Sequence, residues 1–562
     1  MKNFIKILKP DLLFFLITSL VILSLNLTPL ILQARHAPSD RTFTLVHNNI
    51  QDFYFYQALM NQGANGAWLI SDPYTTEPHQ TSIIFAYFTW LGKLSKLLNF
   101  PYSITYHLVR TLTGFLLLFI VFRFLLTLKI PYPKLTFFFF VFASPLMQSN
   151  VPFMNWWTGM DAIRRAAYLP HHMIGALLLV ISIILILQYF NTRTRKHLIY
   201  LIVVAPIMGF VHTPSLFILL LILPPTILIY VFSKMVTVTK PVSFFGNVIR
   251  NLLPKRASLP TNSKQFGALA IYWAIGLFSL ILMVSQTQKG FPWSQYLTWE
   301  KNLQFPLDKE LIGAMGILFP FGLIGGIFSL FSKRFDRILI TCWLIVPFLL
   351  IPFAQRLNIS NIRLIQGVPY LPLAILATLG ISTIQKGLQA ILINVSNKFQ
   401  KFIGLLGYWV IGLFLIIFFI FTLPTMSWSL KDQIREYWTI YSNVYLDKNL
   451  FIAFTFINDN YPDKIKTLST FYTGNYLPAY TNSVSFIGHF GYTYKVEEKE
   501  KQVKKFFENK MASDEAKQFI LSNNIDLVFQ GPEEKPMYKD HLYPEVLKPN
   551  YDREEVTLYT LK

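Results

Sequence analysis

Long apolar runs separated by short polar segments occupy the first three quarters of the chain. Most runs are close to twenty residues long, which is the length that an α-helix needs to cross the hydrocarbon core of a bilayer. The pattern predicts a polytopic α-helical membrane protein with about eleven transmembrane helices. We expect these spans at 11–33, 105–128, 132–149, 170–190, 198–212, 214–232, 267–286, 310–331, 337–354, 368–384 and 403–424.

One apolar stretch is interpreted differently. Residues 82–99 carry Lys93 and Lys96 among apolar side chains, and we interpret them as an interfacial or re-entrant helix. The N-terminus is then cytoplasmic, because the predicted inner segments are short and rich in Lys and Arg. An odd number of spans places the C-terminus outside. The predicted outer loops hold the acidic residues Asp40, Asp52, Asp72, Glu77, Asp161, Glu300 and Asp308.

The pattern changes after about Trp428. Short apolar strands such as "SVSFIG" alternate there with amphipathic helices such as "SDEAKQFILSNN". This alternation predicts a small α/β domain outside the membrane. We therefore expect a membrane domain, 1–428, with outer loops at 34–104 and 148–169, followed by an extracytoplasmic α/β domain, 429–562.

Composition agrees with a membrane protein. Of the 562 residues 53% are hydrophobic and only 14% are charged, whereas soluble domains carry about 25% charged residues. The net charge of +21 comes from Lys and Arg between apolar runs, which indicates membrane topology and not nucleic-acid binding. Cys342 is the single cysteine, so no intramolecular disulfide forms. The frequent Lys, Asn, Phe and Ile are typical of a bacterium, so we expect the bacterial cell (inner) membrane.

The first outer loop carries most of the candidate chemistry. Asp52 precedes "FYFY", and "SDPYTTEPHQ" presents Asp72, Glu77 and His79 between prolines. We interpret Asp52 as a catalytic residue and the other three as substrate-binding residues. The alternative is a solvated loop whose carboxylates face water and cap short helices.

The second outer loop contains "NWWTGMDAIRRAAYLPHH", residues 155–172. Asp161 followed by Arg164 and Arg165 indicates one catalytic acid beside a basic patch for a lipid phosphate. The alternative is a structural salt bridge between Asp161 and Arg165 at helical spacing. His171, at the start of the next predicted span, is a candidate phosphate or metal ligand or, alternatively, an ordinary interfacial histidine.

A later outer loop, "QRLNISNIRLIQG", holds Arg356 and Arg363. Arginine binds phosphate well, so both are candidate substrate-binding residues. The alternative is that they anchor the loop at the lipid headgroups. No P-loop, CxxC pair, GxSxG or HExxH motif occurs in the sequence.

This arrangement resembles the GT-C superfamily of membrane glycosyltransferases, which includes the protein O-mannosyltransferases and the aminoarabinose and Rgt-type lipopolysaccharide glycosyltransferases. The shared features are a first span, a long acidic first outer loop with an early Asp, a second acidic outer loop, about eleven spans and an external C-terminal domain. The stretch from Asp52 to Gln80 also resembles bacterial multi-pass proteins of no known activity. These share an "NPYTxEPHQ"-like loop and a "GH…T" element, here Gly488, His489 and Thr493.

The resemblance implies inverting transfer of a sugar from a polyprenyl-phosphate carrier to an envelope glycan, lipid or protein acceptor. Asp52 would take the place of the first-loop carboxylate, as the general base or as a ligand of Mg or Mn. Asp161 would take the place of the second-loop carboxylate and could share that metal. A transporter or flippase for a lipid-linked substrate and a non-catalytic envelope assembly protein are the alternatives.

Overall fold

The computed structural model describes residues 9–235, 263–306, 308–395, 400–439 and 441–562. The chain divides into two compact units. The first unit comprises Met1–Leu27, Arg110–Leu282 and Glu300–Asp432. The second unit comprises Thr28–Val109, Met283–Trp299 and Gln433–Lys562.

Helices make up most of the described chain. Those up to residue 302 are α1 Lys9–Arg35, α2 Ile50–Ala64, α3 Tyr87–Leu98, α4 Tyr102–Thr127, α5 Pro133–Phe142, α6 Ala162–Ala166, α7 Pro170–Thr192, α8 Arg195–Val211, α9 Thr213–Met235, α10 Ser263–Ser285 and α11 Gln295–Asn302. Those that follow are α12 Asp308–Ala314, α13 Phe319–Leu330, α14 Phe335–Leu350, α15 Tyr370–Val395, α16 Gln400–Thr439, α17 Tyr441–Val444, α18 Lys448–Asn460, α19 Phe471–Tyr480, α20 Val496–Phe507 and α21 Ser513–Ser522.

Strands are short. They are β1 Arg41–Phe43, β2 Met147–Gln148, β3 Val151–Pro152, β4 Tyr445–Asp447, β5 Ile465–Leu468, β6 Ser483–Ser485, β7 Leu527–Gln530, β8 Leu547–Arg553 and β9 Val556–Leu561.

The protein is a multi-pass membrane protein. Helices satisfy their own backbone hydrogen bonds, which the hydrocarbon core of a bilayer requires. In the described part of the chain, eight helices are long and apolar enough to span a bilayer. They are Pro10–Arg35, Tyr102–Thr127, Pro170–Thr192, Thr213–Lys234, Lys264–Gln288, Phe335–Phe353, Tyr370–Ala390 and Trp409–Arg435.

The predicted count of eleven spans is therefore confirmed only in part. The predicted spans at 132–149, 198–212 and 310–331 correspond to the helices α5, α8 and α13, of 10, 17 and 12 residues, which are shorter than the eight candidate spans. Helix α5 ends before Pro145, and α8 begins with the charged residues Arg195 and Lys196. A 3₁₀ turn precedes α13, with Gly316 at a φ of 68°. The cytoplasmic position of the N-terminus stays a prediction.

Small residues allow two helices of the first unit to pack closely. A Cβ atom on Gly380 of α15 would lie 2.1 Å from the carbonyl oxygen of Phe321 in α13. A Cβ atom on Gly325 of α13 would likewise lie 1.8 Å from the carbonyl oxygen of Leu376. Glycine is common at such membrane-helix interfaces because it lets backbones approach.

A mixed five-stranded sheet lies at the centre of the C-terminal part, with strand order β6-β5-β7-β9-β8. Strands β6, β5 and β7 are parallel, and β9 runs antiparallel to both β7 and β8. Helices α20 and α21 bury apolar residues against the sheet, among them Phe506 and Ile520. The predicted α/β pattern of this part is confirmed, although helix α16 runs through the predicted boundary at 428.

The first outer loop belongs to the same compact unit as this sheet. Helix α2 packs against α3 and α19. Strand β1 pairs with β4, so that Thr42 lies opposite Leu446. Helix α3 has only 12 residues and is too short to span a bilayer, which agrees with the interpretation of 82–99.

We expect Gly380→Ala to destabilise the protein, because the added methyl group would enter the space of the α13 backbone. Overpacking of this kind costs about 1–3 kcal/mol. Gly387→Ala on the same helix is the matched control, since a Cβ atom there meets nothing within 4 Å. Thermal unfolding in lipid measures both variants. Equal melting temperatures for the two would contradict the close packing of α13 and α15.

Candidate active site

Asp52 lies in the first turn of helix α2. The side chain of Asn49 caps this helix by accepting a hydrogen bond from the Asp52 backbone N–H at 3.2 Å. Asn is a favoured residue at this position. The Asp52 side chain is 39% exposed, so its carboxylate remains accessible to a substrate.

His489 is the nearest titratable partner of Asp52. Its Nε2 atom lies 3.4 Å from Asp52 Oδ1. Its Nδ1 atom accepts a hydrogen bond from the backbone N–H of Gly491 at 3.0 Å. Because Nδ1 is an acceptor, a neutral His489 carries its proton on Nε2 and donates it towards Asp52. The two residues form a carboxylate–imidazole pair.

Aromatic rings hold the imidazole in place. Tyr74 stacks on His489 with ring centroids 5.6 Å apart, and Tyr492 contacts it at 4.5 Å. Tyr492 in turn stacks on Phe55 of helix α2 at 4.2 Å. The Tyr74 hydroxyl donates to the backbone oxygen of Asn475 at 2.9 Å. The ring of His489 is therefore fixed by packing as well as by hydrogen bonds.

The backbone around His489 depends on a close approach between two glycines. A Cβ atom on Gly488 would lie 2.5 Å from the carbonyl oxygen of Gly474 in helix α19. The hydroxyl of Thr493 accepts hydrogen bonds from the N–H groups of Gly488 and His489, both at 3.2 Å. The "GH…T" element is thus a turn that presents the histidine to α2.

The loop at 71–80 uses its polar groups to hold its own shape. His79 Nε2 accepts from the Asp72 backbone N–H at 2.9 Å, and Nδ1 donates to the Glu77 carbonyl at 2.9 Å. Burial lowers the pKa of His79, which favours this neutral form. Glu77 forms an ion pair of 2.8 Å with Lys499 of helix α20. Substrate binding by Glu77 and His79 stays a prediction.

Asp72 is fully buried in this loop. Its Oδ1 atom accepts from the Tyr74 N–H at 2.8 Å, and Oδ2 has no hydrogen-bond partner among the described residues. Burial raises the pKa of Asp72 from 3.8 to about 8, although Lys464 and Lys499 partly oppose the shift. Asp72 therefore carries its proton at neutral pH.

In the first unit, Asp161 caps the short helix α6. Its Oδ1 atom accepts from the backbone N–H groups of Ile163 at 2.7 Å and Arg164 at 3.0 Å. The Arg164 side chain forms an ion pair of 2.8 Å with Asp432. These contacts assign structural roles to both residues, and the catalytic role of Asp161 stays a prediction.

Arg165 lines a cavity of the first unit together with His172 and Trp157. Its guanidinium donates to the backbone oxygens of Met160 at 2.9 Å and Ala143 at 2.8 Å. It also lies 4.0 Å from the centre of the Tyr370 ring. The Asp161–Arg165 salt bridge that we considered is therefore not the main contact of Arg165.

His171 lies beside two other histidines. Its ring centroid is 4.6 Å from that of His172 and 5.9 Å from that of His212. His212 Nδ1 lies 2.8 Å from the Ser215 hydroxyl. In the part of the chain that the structure describes, no group of three or more His, Cys, Asp or Glu residues could hold a metal ion. The neighbours of Asp52 thus do not by themselves form a magnesium or manganese site.

The two later arginines differ in their surroundings. Arg363 forms a two-pronged ion pair with Glu300, with Nε at 2.9 Å and 3.1 Å from the carboxylate oxygens. Glu300 therefore neutralises the charge of Arg363. Arg356 is exposed and lies 5.9 Å from the ring centre of Phe353. Phosphate binding by either arginine stays a prediction.

Comparison with known proteins gives a fold and no sequence family. No protein-family model matches the chain, and no curated protein sequence matches it. The structure is similar to the oligosaccharyltransferase AglB of Archaeoglobus fulgidus in complex with an inhibitory peptide and a dolichol-phosphate. The TM-score is 0.54 at 14% identity, over 94% of this chain and 70% of that chain.

Two further solved structures are similar to this chain. The same archaeal enzyme tethered with an acceptor peptide containing the NVT sequon gives a TM-score of 0.53 at 14% identity, over 98% and 74% of the chains. ArnT of Cupriavidus metallidurans bound to undecaprenyl phosphate gives a TM-score of 0.48 at 12% identity, over 98% of this chain and 97% of that chain. The chain is structurally similar to GT-C glycosyltransferases.

This similarity of fold confirms the expected structural resemblance to GT-C glycosyltransferases. Sequence reasoning placed no role on Lys499, which closes the loop at 71–80, because it lies within a run of lysines and glutamates typical of a solvated helix. His489 carried a signal only as part of the "GH…T" element. Its pairing with Asp52 is visible only in three dimensions.

We expect the Asp72 carboxyl to contribute a decrease in the free energy of unfolding as pH rises from about 4 to about 8. A carboxyl with a raised pKa in the folded protein binds more protons there than in the unfolded chain across this range. The effect is at most about 1.4 kcal/mol per pH unit. Asp72→Asn should flatten this dependence and raise the melting temperature at pH 8. Melting curves at pH 5 to 8 that stay parallel for both proteins would contradict it.

Proposed function

We propose that the protein is a membrane glycosyltransferase, of the EC 2.4 class, that moves a sugar from a polyprenyl-phosphate-linked donor to an extracytoplasmic acceptor. The observation that carries this proposal is the similarity over 94% of the chain to an oligosaccharyltransferase in complex with dolichol-phosphate. The exposed Asp52 carboxylate paired with His489 supplies a group able to accept a proton. The acceptor is an envelope glycan, a lipid or a protein.

Asp52 acts as the general base in this mechanism. The acceptor hydroxyl attacks the anomeric carbon of the donor, and its proton passes to the Asp52 carboxylate. The bond between the anomeric carbon and the phosphate oxygen breaks on the opposite face, and its electron pair leaves with the polyprenyl phosphate. Attack from the opposite face inverts the configuration of the anomeric carbon.

His489 positions the base. Its Nε2–H donates towards Asp52 Oδ1, which leaves Oδ2 to accept the proton of the acceptor. The rings of Tyr74 and Tyr492 keep the imidazole from rotating. A fixed base contributes more to catalysis than a mobile one, because the reacting atoms are already oriented.

Within the first unit, Arg165 is a candidate to bind a lipid phosphate. Its hydrogen bonds go to the backbone oxygens of Met160 and Ala143, and it faces the ring of Tyr370. Asp161 is the carboxylate that interacts with its charge. Arg164 and Arg363 are paired with carboxylates, so their charges are already balanced. Arginine suits phosphate because its planar donors match two phosphate oxygens. Binding of a magnesium or manganese ion stays a prediction.

The first test is sugar transfer by purified protein in lipid. Polyprenyl-phosphate hexoses are supplied as donors, and release of polyprenyl phosphate is followed by mass spectrometry. We expect Asp52→Asn to reduce release by about 10²–10⁴-fold, since the amide accepts no proton. The matched control is Asp459→Asn, which changes an exposed acid of the same unit and should retain wild-type release.

Two results would overturn this proposal. If folded wild-type protein releases polyprenyl phosphate from none of the donors, the proposed transferase activity is wrong. Equal release by the wild type and Asp52→Asn would support a transferase but would show that Asp52 does not accept the proton.

The role of His489 is tested by a pair of substitutions. His489→Gln keeps an N–H donor near the position of Nε2, whereas His489→Leu removes it. We expect Gln to retain at least about ten times the turnover of Leu, with little change in the donor KM, because the histidine positions the base and does not bind the donor. Equal loss in both variants, with unchanged melting temperatures, would contradict a hydrogen-bonding role.

A further inference from the structure

A second cavity lies in the second unit, at the C-terminal end of helix α2. Its volume is about 710 Å³, which falls within the range of about 300–1,000 Å³ typical of small-molecule sites. Asn65 at this end is 13 residues from Asp52, or about 20 Å along the helix axis. Tyr102 and Ser103, which begin the candidate span Tyr102–Thr127, also line it. The cavity is therefore at the end of a span and separate from Asp52.

Side-chain amides dominate the polar part of this lining. The amide-bearing residues are Gln57, Asn61, Asn65, Asn99, Asn458 and Asn482. Each carries a donor and an acceptor side by side, which matches a pair of neighbouring sugar hydroxyls. The rings of Phe100, Tyr102 and Tyr480 supply apolar faces for the C–H side of a sugar.

Hydrogen bonds among these groups hold them in place. Asn65 Nδ2 donates to the side-chain oxygen of Asn482 at 2.7 Å. The Tyr102 hydroxyl donates to Asn61 Oδ1 at 3.1 Å. Asn458 Nδ2 donates to the Tyr480 carbonyl at 2.9 Å. The lining is therefore organised before any ligand arrives, which lowers the cost of binding.

Gln57 provides an independent indication of a ligand. It is only 4% exposed and lines the cavity, yet its Nε2 atom has no hydrogen-bond partner among the residues that the structure describes. A buried donor without a partner costs about 1–3 kcal/mol, so such groups are rare unless something else supplies the acceptor. A hydroxyl in the cavity would supply it.

The charge of the lining narrows the class of ligand. Lys96 is the charged residue of the lining, and its Nζ atom donates to the Ala64 carbonyl at 3.0 Å. The lining contains no carboxylate, so nothing in it would pair with a cationic ligand. We infer that this cavity binds a neutral oligosaccharide, as a glycan-binding site distinct from the site at Asp52.

The test measures saccharide binding without any donor substrate, so it does not depend on transfer activity. Full-length protein is placed in lipid nanodiscs free of maltoside detergent. It is titrated by saturation-transfer NMR with neutral di- to tetrasaccharides of glucose, galactose, mannose and N-acetylglucosamine. We expect Asn458→Trp, which fills the cavity, and Gln57→Met, which removes the unpartnered amide, to weaken binding at least about tenfold.

Two further variants locate the binding. Asn460→Trp is the matched control, since Asn460 is exposed on the same helix α18 and does not line the cavity. Asn460→Trp and Asp52→Asn should both bind like the wild type, and melting temperatures verify that all variants fold. Binding of no saccharide in the panel would overturn the inference. So would unchanged binding in both cavity variants, or loss of binding in Asp52→Asn alone.

Discussion

The candidate site depends on the packing of helix α2 against the segment around His489. These segments are more than four hundred residues apart in the chain, yet His489 Nε2 lies 3.4 Å from Asp52. The approach requires glycine, because a Cβ atom on Gly488 would collide with the Gly474 carbonyl. The stacking of Tyr492 on Phe55 strengthens the same contact. Without this packing Asp52 would be an isolated surface carboxylate.

The cost of burying charge explains how the acids of the first outer loop differ in their surroundings. A buried ionised group is costly unless it is paired, so each of these acids is stabilised in a different way. Glu77 pairs with Lys499, and Asp72 keeps its proton because burial raises its pKa. Asp52 keeps an accessible carboxylate beside the imidazole of His489. The loop therefore combines acids that stabilise it with one that is available for chemistry.

The predictions from sequence succeeded where the signal is local. Strand and helix patterns after residue 440 match the observed sheet, because alternation and amphipathic spacing act over a few residues. Eight of the predicted spans overlap helices that are long enough to cross a bilayer. The remaining three correspond to helices of 10, 17 and 12 residues, since hydrophobicity alone does not reveal where a helix begins and ends. The actual partners of Asp161 and Arg164 also escaped prediction, because they are backbone groups of a short helix and a distant acid, Asp432.

The sequence by itself determined that the chain is a multi-pass membrane protein with a mixed α/β part at its end. Hydrophobic length and periodicity settle this, since bilayer thickness and backbone hydrogen bonding leave few alternatives. It also singled out Asp52 through the aromatic residues that follow it. Only the tertiary structure decided that Asp52 pairs with His489 and that Asp72 is buried. Those facts arise from contacts between distant segments, and no local pattern of residues encodes the distance between them.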